Sequence, residues 1–229
     1  MNVKEQLLSE EQLDFLSEMM NIGAGNAVTA LSQMLQCSVD VAIPMVHAIP
    51  TTQMPSTLGD PSLPVLCVRM DMLGDVTGDL FFIAPEKYLK TLTHLAEEAT
   101  LGAVKEEKRR GVSLPIRQFA NVQVSNTNLS VLAELGSILA GVYLTAVHDF
   151  CKLNIYHSIP MVAIDMIQSL LDESLVMTSR QAQTLIMIEN KFIIQKEHIK
   201  TFLMMIPSVE SVNIFVNSID QTRMAYREG

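Results

Sequence analysis

A chain of 229 residues sets 25 Asp and Glu against 16 Lys and Arg, a formal net charge of −9, with 5% aromatics and no Trp. That balance excludes the cationic, aromatic-studded surface that nucleic acids require and suits a basic partner surface instead. The length allows one large domain or two small ones, with a substantial core.

Taken in chain order, the opening MNVKEQLLSEEQ lacks the apolar stretch of a signal peptide. Ser9 followed three residues later by Gln12 is a capping-box pattern, and Leu13, Leu16, Met20, Ala24, Ala27, Leu31 and Met34 recur at steps of three and four. The spacing predicts an amphipathic helix. Its turn of about 100° per residue brings Asp14, Glu18, Asn21 and Gly25 within about 60° of one another, on a stripe rotated away from the apolar one. The longest charge-free run, Met19 to Val39, is interrupted by Asn21, Asn26, Thr29, Ser32, Gln33 and Gln36, so no membrane span is expected.

A short strand is predicted over 38–43, a Pro- and Thr-rich loop over 49–64, and strands over 65–71 and 78–84 joined by a turn with Gly74 and Asp75. Pro85 opens a helix over 86–99, in the first-turn position that proline tolerates. Residues 102–126 turn polar and charged without a period and read as an insertion or linker; KEEKRR within them mixes both signs, as a solvated loop does. The plan then recurs: a helix over 130–150, a short helix near 166–176 beyond Pro160, apolar runs over 184–190 and 192–194, a strand over 199–207 and a final helix over 208–219.

Glu18 and Glu134 are 116 residues apart, as are Pro44 and Pro160, and the same shift sets Asp14 on Ser130, Asn21 on Ser137 and Gly25 on Gly141. A slightly larger shift lays 80–85 on 202–207. An internal duplication of about a hundred residues follows. The expected fold is α/β of the α+β type, with long helices packed on antiparallel sheet and a pseudo-two-fold relation between halves. It is one domain over 1–229, with a first half 1–101, the insertion 102–126 and a second half 127–229.

Other features carry less. Glycines within helices cost about 1 kcal/mol each relative to alanine, so Gly23, Gly25, Gly136 and Gly141 point to close backbone approach, with packing inside the protein the preferred reason. Asn26 lies off the polar stripe and reads as structural. Cys37, Cys67 and Cys151 are odd in number and at no metal-ligand spacing, as reduced thiols of a cytoplasmic protein are. The five histidines, at 47, 94, 148, 157 and 198, are scattered, and no metal site is expected. GAG at 23–25 lacks the context of a dinucleotide loop, and no serine sits in a nucleophile elbow. Most of the 15 methionines lie in apolar runs such as FLMMIP at 202–207 and read as core filling.

Polar residues on an outer helix face are ordinary, but these repeat, and each copy ends 23 residues later at a proline. Asp14, Glu18, Asn21 and Pro44 follow the order Asp or Ser, three residues, Glu, two residues, Asn, 22 residues, Pro. In this the chain resembles the CheC, CheX and FliY phosphatases of bacterial chemotaxis, and its order of elements is more similar to CheC than to the shorter, single-site CheX. NIGAGNAVTALSQML and GSILAGVYL extend the likeness over nearly the whole chain. In the second copy Ser130, Glu134 and Pro160 match, but Ser137 stands where the family places Asn.

The resemblance implies hydrolysis of the aspartyl phosphate on a CheY-type receiver domain, with no cofactor of the protein's own. The acyl phosphate is labile and the receiver brings its own Mg2+ and lysine, so a helper needs only to place a water in line. A side-chain amide offers a donor and an acceptor for that task. Asn21 is then the residue that orients the water, and Glu18 accepts the receiver's lysine. Asp14 either assists at the rim or favours the early turns of its helix. Ser137 lacks the amide, so one working face is expected. The resemblance also brings in CheD as a partner, with no residues assignable to it. The rival reading is a non-catalytic module that binds a receiver or CheD, related to the flagellar switch proteins.

Overall fold

A computed structural model describes residues 8–50, 53–60, 64–95, 98, 116–119, 122–166 and 184–228. The first long helix, α1 (Glu10–Leu35), starts at the predicted cap: Gln12 N donates to Ser9 Oγ at 3.3 Å and Ser9 N to Gln12 Oε1 at 2.7 Å. It ends at Gln36, which takes the left-handed conformation at φ 51°. Strands β1 (Val39–Val41) and β2 (Met45–Pro50) follow, then the short α2 (Met54–Leu58), the hairpin β3 (Pro64–Gly74) and β4 (Gly78–Pro85), and a helical turn Glu86–Tyr88 that continues as α3 over 89–95. In the second half come β5 (Ile116–Phe119), β6 (Val122–Ser125), α4 (Asn126–Cys151), β7 (Ile155–His157), β8 (Met161–Met166), β9 (Thr184–Ile194), β10 (Glu197–Pro207) and α5 (Val209–Glu228).

The duplication is visible element by element. The bounds of α4, β7 and β8 equal those of α1, β1 and β2 shifted by 116 residues, and Lys152, which follows α4 as Gln36 follows α1, is also left-handed at φ 55°. The main sheet runs β1-β9-β10-β4-β3-β7, with β2 also on β9 and β8 also on β3, every pair antiparallel. The short strands after each long helix therefore pair with the hairpin of the other half. A pseudo-two-fold axis passes between β4 and β10.

Strand alternation divides the core in two. Leu66, Val68, Met70, Leu80, Phe82, Leu203 and Met205 face α1, α4 and α5 in the larger cluster; Val65, Cys67, Phe81, Ile83, Phe202 and Met204 face the other way, with Met54 and Leu58 of α2. All three cysteines are free, and burial pushes the Cys67 thiol up to about 12. At the β3–β4 turn Gly74 holds φ 104°, where a Cβ would fall 2.0 Å from the Asn154 carbonyl oxygen.

Several expectations are corrected. The predicted loop over 49–64 is too long at its start, because Ile49 and Pro50 belong to β2 and pair with Leu185 and Thr184; proline is tolerated on this edge strand, where its missing N–H breaks no ladder. The loop's middle holds α2. The expected linker 102–126 contains the β5–β6 hairpin, whose alternation in Val122–Ser125 spans only four residues and is lost in the polar run before it, and its last residue, Asn126, already begins α4. Met166, expected in a helix, ends β8; the rest of that expected helix lies outside the described residues. The two apolar runs at 184–194 are one strand, and Gln195 and Lys196, at φ 50° and 73°, form the two-residue turn into β10. The charged break at Glu189 to Lys191 is accommodated on the side away from α4, where Glu189 meets Lys200 Nζ at 2.6 Å and Lys191 Nζ at 3.2 Å.

Among the described residues one helix, 128–151, is long and apolar enough by length and composition to cross a membrane; in this fold it lies half-buried, packed against both α1 and the sheet.

Candidate functional site

The α1 stripe is set by what the other faces of the helix bury. Leu16, Met20, Ala24, Ala27 and Leu31 are in the core. Met19 and Gly23 turn toward α4, with Cys151 Sγ 3.9 Å from Met19 Sδ, and a Cβ on Gly23 would lie 3.0 Å from Tyr143 and 3.3 Å from Ala146. That leaves Asp14, Glu18, Asn21 and Gly25 exposed together on the remaining face. A carboxylate and an amide three residues apart on a rigid helix are neighbours, so one partner can meet both.

The glycines divide by cause. Gly23 allows close approach of the twin helices, and Gly136 allows α4 to touch the sheet, since a Cβ there would stand 3.0 Å from Val68 and 3.1 Å from Phe82. Gly25 departs from the expected internal packing, because nothing lies within 4 Å of a Cβ placed there: its outward position on the stripe leaves it open ground. Pro44 is buried and Pro160 half-buried. Asn26 is exposed and lines, with Ile138, Gly141, Val142 and Thr145, a shallow groove of about 320 Å3 where the two helices cross.

The α4 stripe is built the same way but differs in two places. Ser130 and Glu134 are exposed; Ser137, half-buried, presents a hydroxyl where α1 presents an amide. One turn on, His157 of β7 overhangs the stripe, its Nε2 3.5 Å from the Cβ position of Gly141. The His157 Nδ1–H donates to the Ser158 carbonyl at 2.8 Å, which fixes the ring's orientation. The equivalent of His157 in the first half is Val41, a smaller side chain, and Gly25 is correspondingly open. The sequence held His157 in plain view, but only the placement of β7 along α4 gives it a role.

Beneath the crossing, Tyr143 and Asn190 form a buried pair, the phenol donating to Asn190 Oδ1; burial raises the Tyr143 pKa above its ordinary value. This polar tie lies between α4 and β9 on the side where Gly23 packs. A cleft of about 370 Å3, lined in part by Leu58, Lys87, Lys200 and Phe202, opens toward the other sheet face and shares no residue with either stripe. Among the described residues no three His, Cys, Asp or Glu side chains are grouped to hold a metal ion.

Paired helices on a shared antiparallel sheet, each displaying a Glu-centred polar stripe, define a duplicated α+β fold. Residues 11–47 match the CheC-like family. Over 210 residues the chain is 30% identical to the CheY-P phosphatase CheC of Bacillus subtilis, covering 89% of this chain and 91% of that protein. The chain belongs to the CheC-like family. Its fold is that of Thermotoga maritima FliY, with a TM-score of 0.68 at 18% identity over 94% of this chain and 98% of the other. The FliM middle domain from H. pylori also shares it, with a TM-score of 0.59 at 13% identity over 92% and 99%.

Proposed function

We propose that the protein is a phosphatase acting on the aspartyl phosphate of a CheY-type receiver domain, with the chemistry on the α1 stripe. The observation that carries this reading is the joint exposure of Glu18 and Asn21 on one rigid helix face, with open ground beyond them at Gly25. The relationship to CheC supports the reaction class.

In this reading Glu18 accepts the receiver's active-site lysine and sets the docking register. The Asn21 amide then reaches the phosphoryl group. Its carbonyl oxygen accepts a hydrogen bond from water and its NH2 donates to a phosphoryl oxygen, which holds the water in line. The receiver carries the Mg2+ that neutralises charge on the transferring group. Asp14, one turn before Glu18, adds a carboxylate at the rim. On α4 the Ser137 hydroxyl is too short to bridge water and phosphate, and His157 crowds the approach, so that face is silent.

The test is the decay of a radiolabelled, phosphorylated CheY-type receiver with magnesium, alone, with wild-type protein and with Asn21→Ala. Accelerated decay that Asn21→Ala abolishes, with receiver binding kept, is the expected result. Decay indifferent to wild-type protein favours a non-catalytic binding module.

A further inference from the structure

The two loops that hold the motif prolines share more than the proline. Residues 43–45 and 159–161 both read Ile, Pro, Met. Ile43 and Ile159 are the most exposed large apolar side chains among the described residues, at 75% and 84%, and Met45 and Met161 are also exposed. One exposed isoleucine needs no explanation. Two in equivalent positions, each followed by an exposed methionine, do.

Pairing explains how they come to point outward. Val41 pairs with Phe192 and Met45 with Glu189, so three residues, 42–44, face two on β9. His157 pairs with Met72 and Met161 with Arg69, so 158–160 face two on β3 in the same way. Each is a bulge, a device that re-aims side chains, and proline within it needs no ladder partner for its nitrogen.

Their place beside the stripes follows from His157. After the reversal at 152–154, β7 runs back along α4 and sets His157 against Gly141. The bulge that follows continues in the same direction, against the run of α4, and β8 beyond it still lies along that helix. Ile159 thus lies beyond His157, on the side of Gly141 toward Ser137. The common 116-residue spacing of α1, β1 and β2 with α4, β7 and β8 sets Ile43 on the Asn21 side of Gly25 in the same way.

We infer that Ile43 and Met45 form an apolar lip that seats the receiver domain beside Asn21, against an apolar side chain on the rim of the receiver's phosphorylation pocket. This rests on the reading that the receiver docks on the α1 stripe. The occupant follows from continuity: a body that covers Glu18 and Asn21 also reaches the exposed bulge of the edge strands that run along the same helix. The division of labour is physical. Solvent-exposed ion pairs contribute little to affinity, whereas an isoleucine taken out of water contributes substantially.

The test is steady-state dephosphorylation of the receiver by wild-type protein, Ile43→Ser and Ile159→Ser, with binding of the beryllofluoride-loaded receiver measured alongside. Ile43→Ser is expected to raise KM and weaken binding about tenfold or more, with kcat changed less than about twofold. Its melting temperature stays at the wild-type value, because the side chain is mostly in solvent. Ile159→Ser leaves both constants unchanged. Wild-type activity with an unaltered KM in Ile43→Ser overturns the lip alone. A KM raised by Ile159→Ser and not by Ile43→Ser moves docking to α4 and overturns it as stated. A wild-type dimer in ultracentrifugation that Ile43→Ser dissociates assigns the lip to a second copy of this chain and overturns it too. A wild-type protein that neither binds nor dephosphorylates the receiver removes the receiver reading and the lip with it.

Discussion

The α1 and α4 stripes rest on helices of equal length, each followed by a left-handed residue and flanked by the same bulged edge strand. Their backbones are alike, yet α1 presents Asn21 over open ground and α4 presents Ser137 beside an overhanging His157. Duplication has kept the placement and let single side chains diverge. Position is the property of the fold here, and reactivity that of two or three atoms set upon it.

The comparison is broken most sharply by making the first stripe into the second. Asn21→Ser should lower dephosphorylation about a hundredfold, as loss of one positioned hydrogen-bonding group does, while binding of the beryllofluoride-loaded receiver persists; the decay assay and a binding titration read the two separately. Next in size is the contrast between two glycines. Gly23→Val drives a side chain into Tyr143 and Ala146 and should cost about 1–3 kcal/mol in denaturant unfolding. Gly25→Ala meets nothing within the protein and should gain about 0.5–1 kcal/mol, with a raised KM for the receiver that reveals what the open ground is for.

A smaller effect comes from rebuilding the second stripe. Ser137→Asn alone should leave the turnover per molecule unchanged, and Ser137→Asn with His157→Val should carry it toward double the wild-type value. Activity from Ser137→Asn alone would show that the overhang is no barrier.

The smallest expected effect concerns ion clusters that the halves share with their signs exchanged. On β3 and β4, Arg69 meets Asp79 at 2.9 Å and Asp71 at 3.8 Å; on β9 and β10, Glu189 sits between Lys191 and Lys200. Burial alone would raise the Glu189 carboxyl, but the hydrogen bonds and charges of Lys200 and Lys191 outweigh it and hold its pKa below the ordinary carboxylate value. A lowered folded-state pKa contributes stability above the unfolded value, and that contribution is lost as pH falls through the folded one. Unfolding of wild type and Glu189→Gln compared across acid pH should show a difference that closes below the ordinary carboxylate range.

Much of this was legible in the sequence because it is local. The cap at Ser9, the apolar steps of α1, the 116-residue shift and the β3–β4 turn are each written within a few residues or in a repeat. Strand β2 was missed because MVHAIP is short, lacks a clean alternation and runs into proline. The charged break at Glu189 to Lys191 disguised one strand as two, since the residues that neutralise it come from β10 and the polar one facing inward is met by Tyr143. What no local pattern carries is partnership: that β7 lies along α4 and so brings His157 over Gly141, or that each half completes the sheet of the other.

That exchange of edge strands bears on how the chain is made. β1 joins β9, and the central seam joins β4 to β10, so in a nascent chain leaving the ribosome the β4 edge of the first hairpin stays open until residues near 207 have emerged. Contacts so distant in sequence close late and slowly. For most of its synthesis that open edge is therefore a template for mispairing, and a truncation that spares the whole α1 stripe still leaves that stripe on a sheet that has lost its middle.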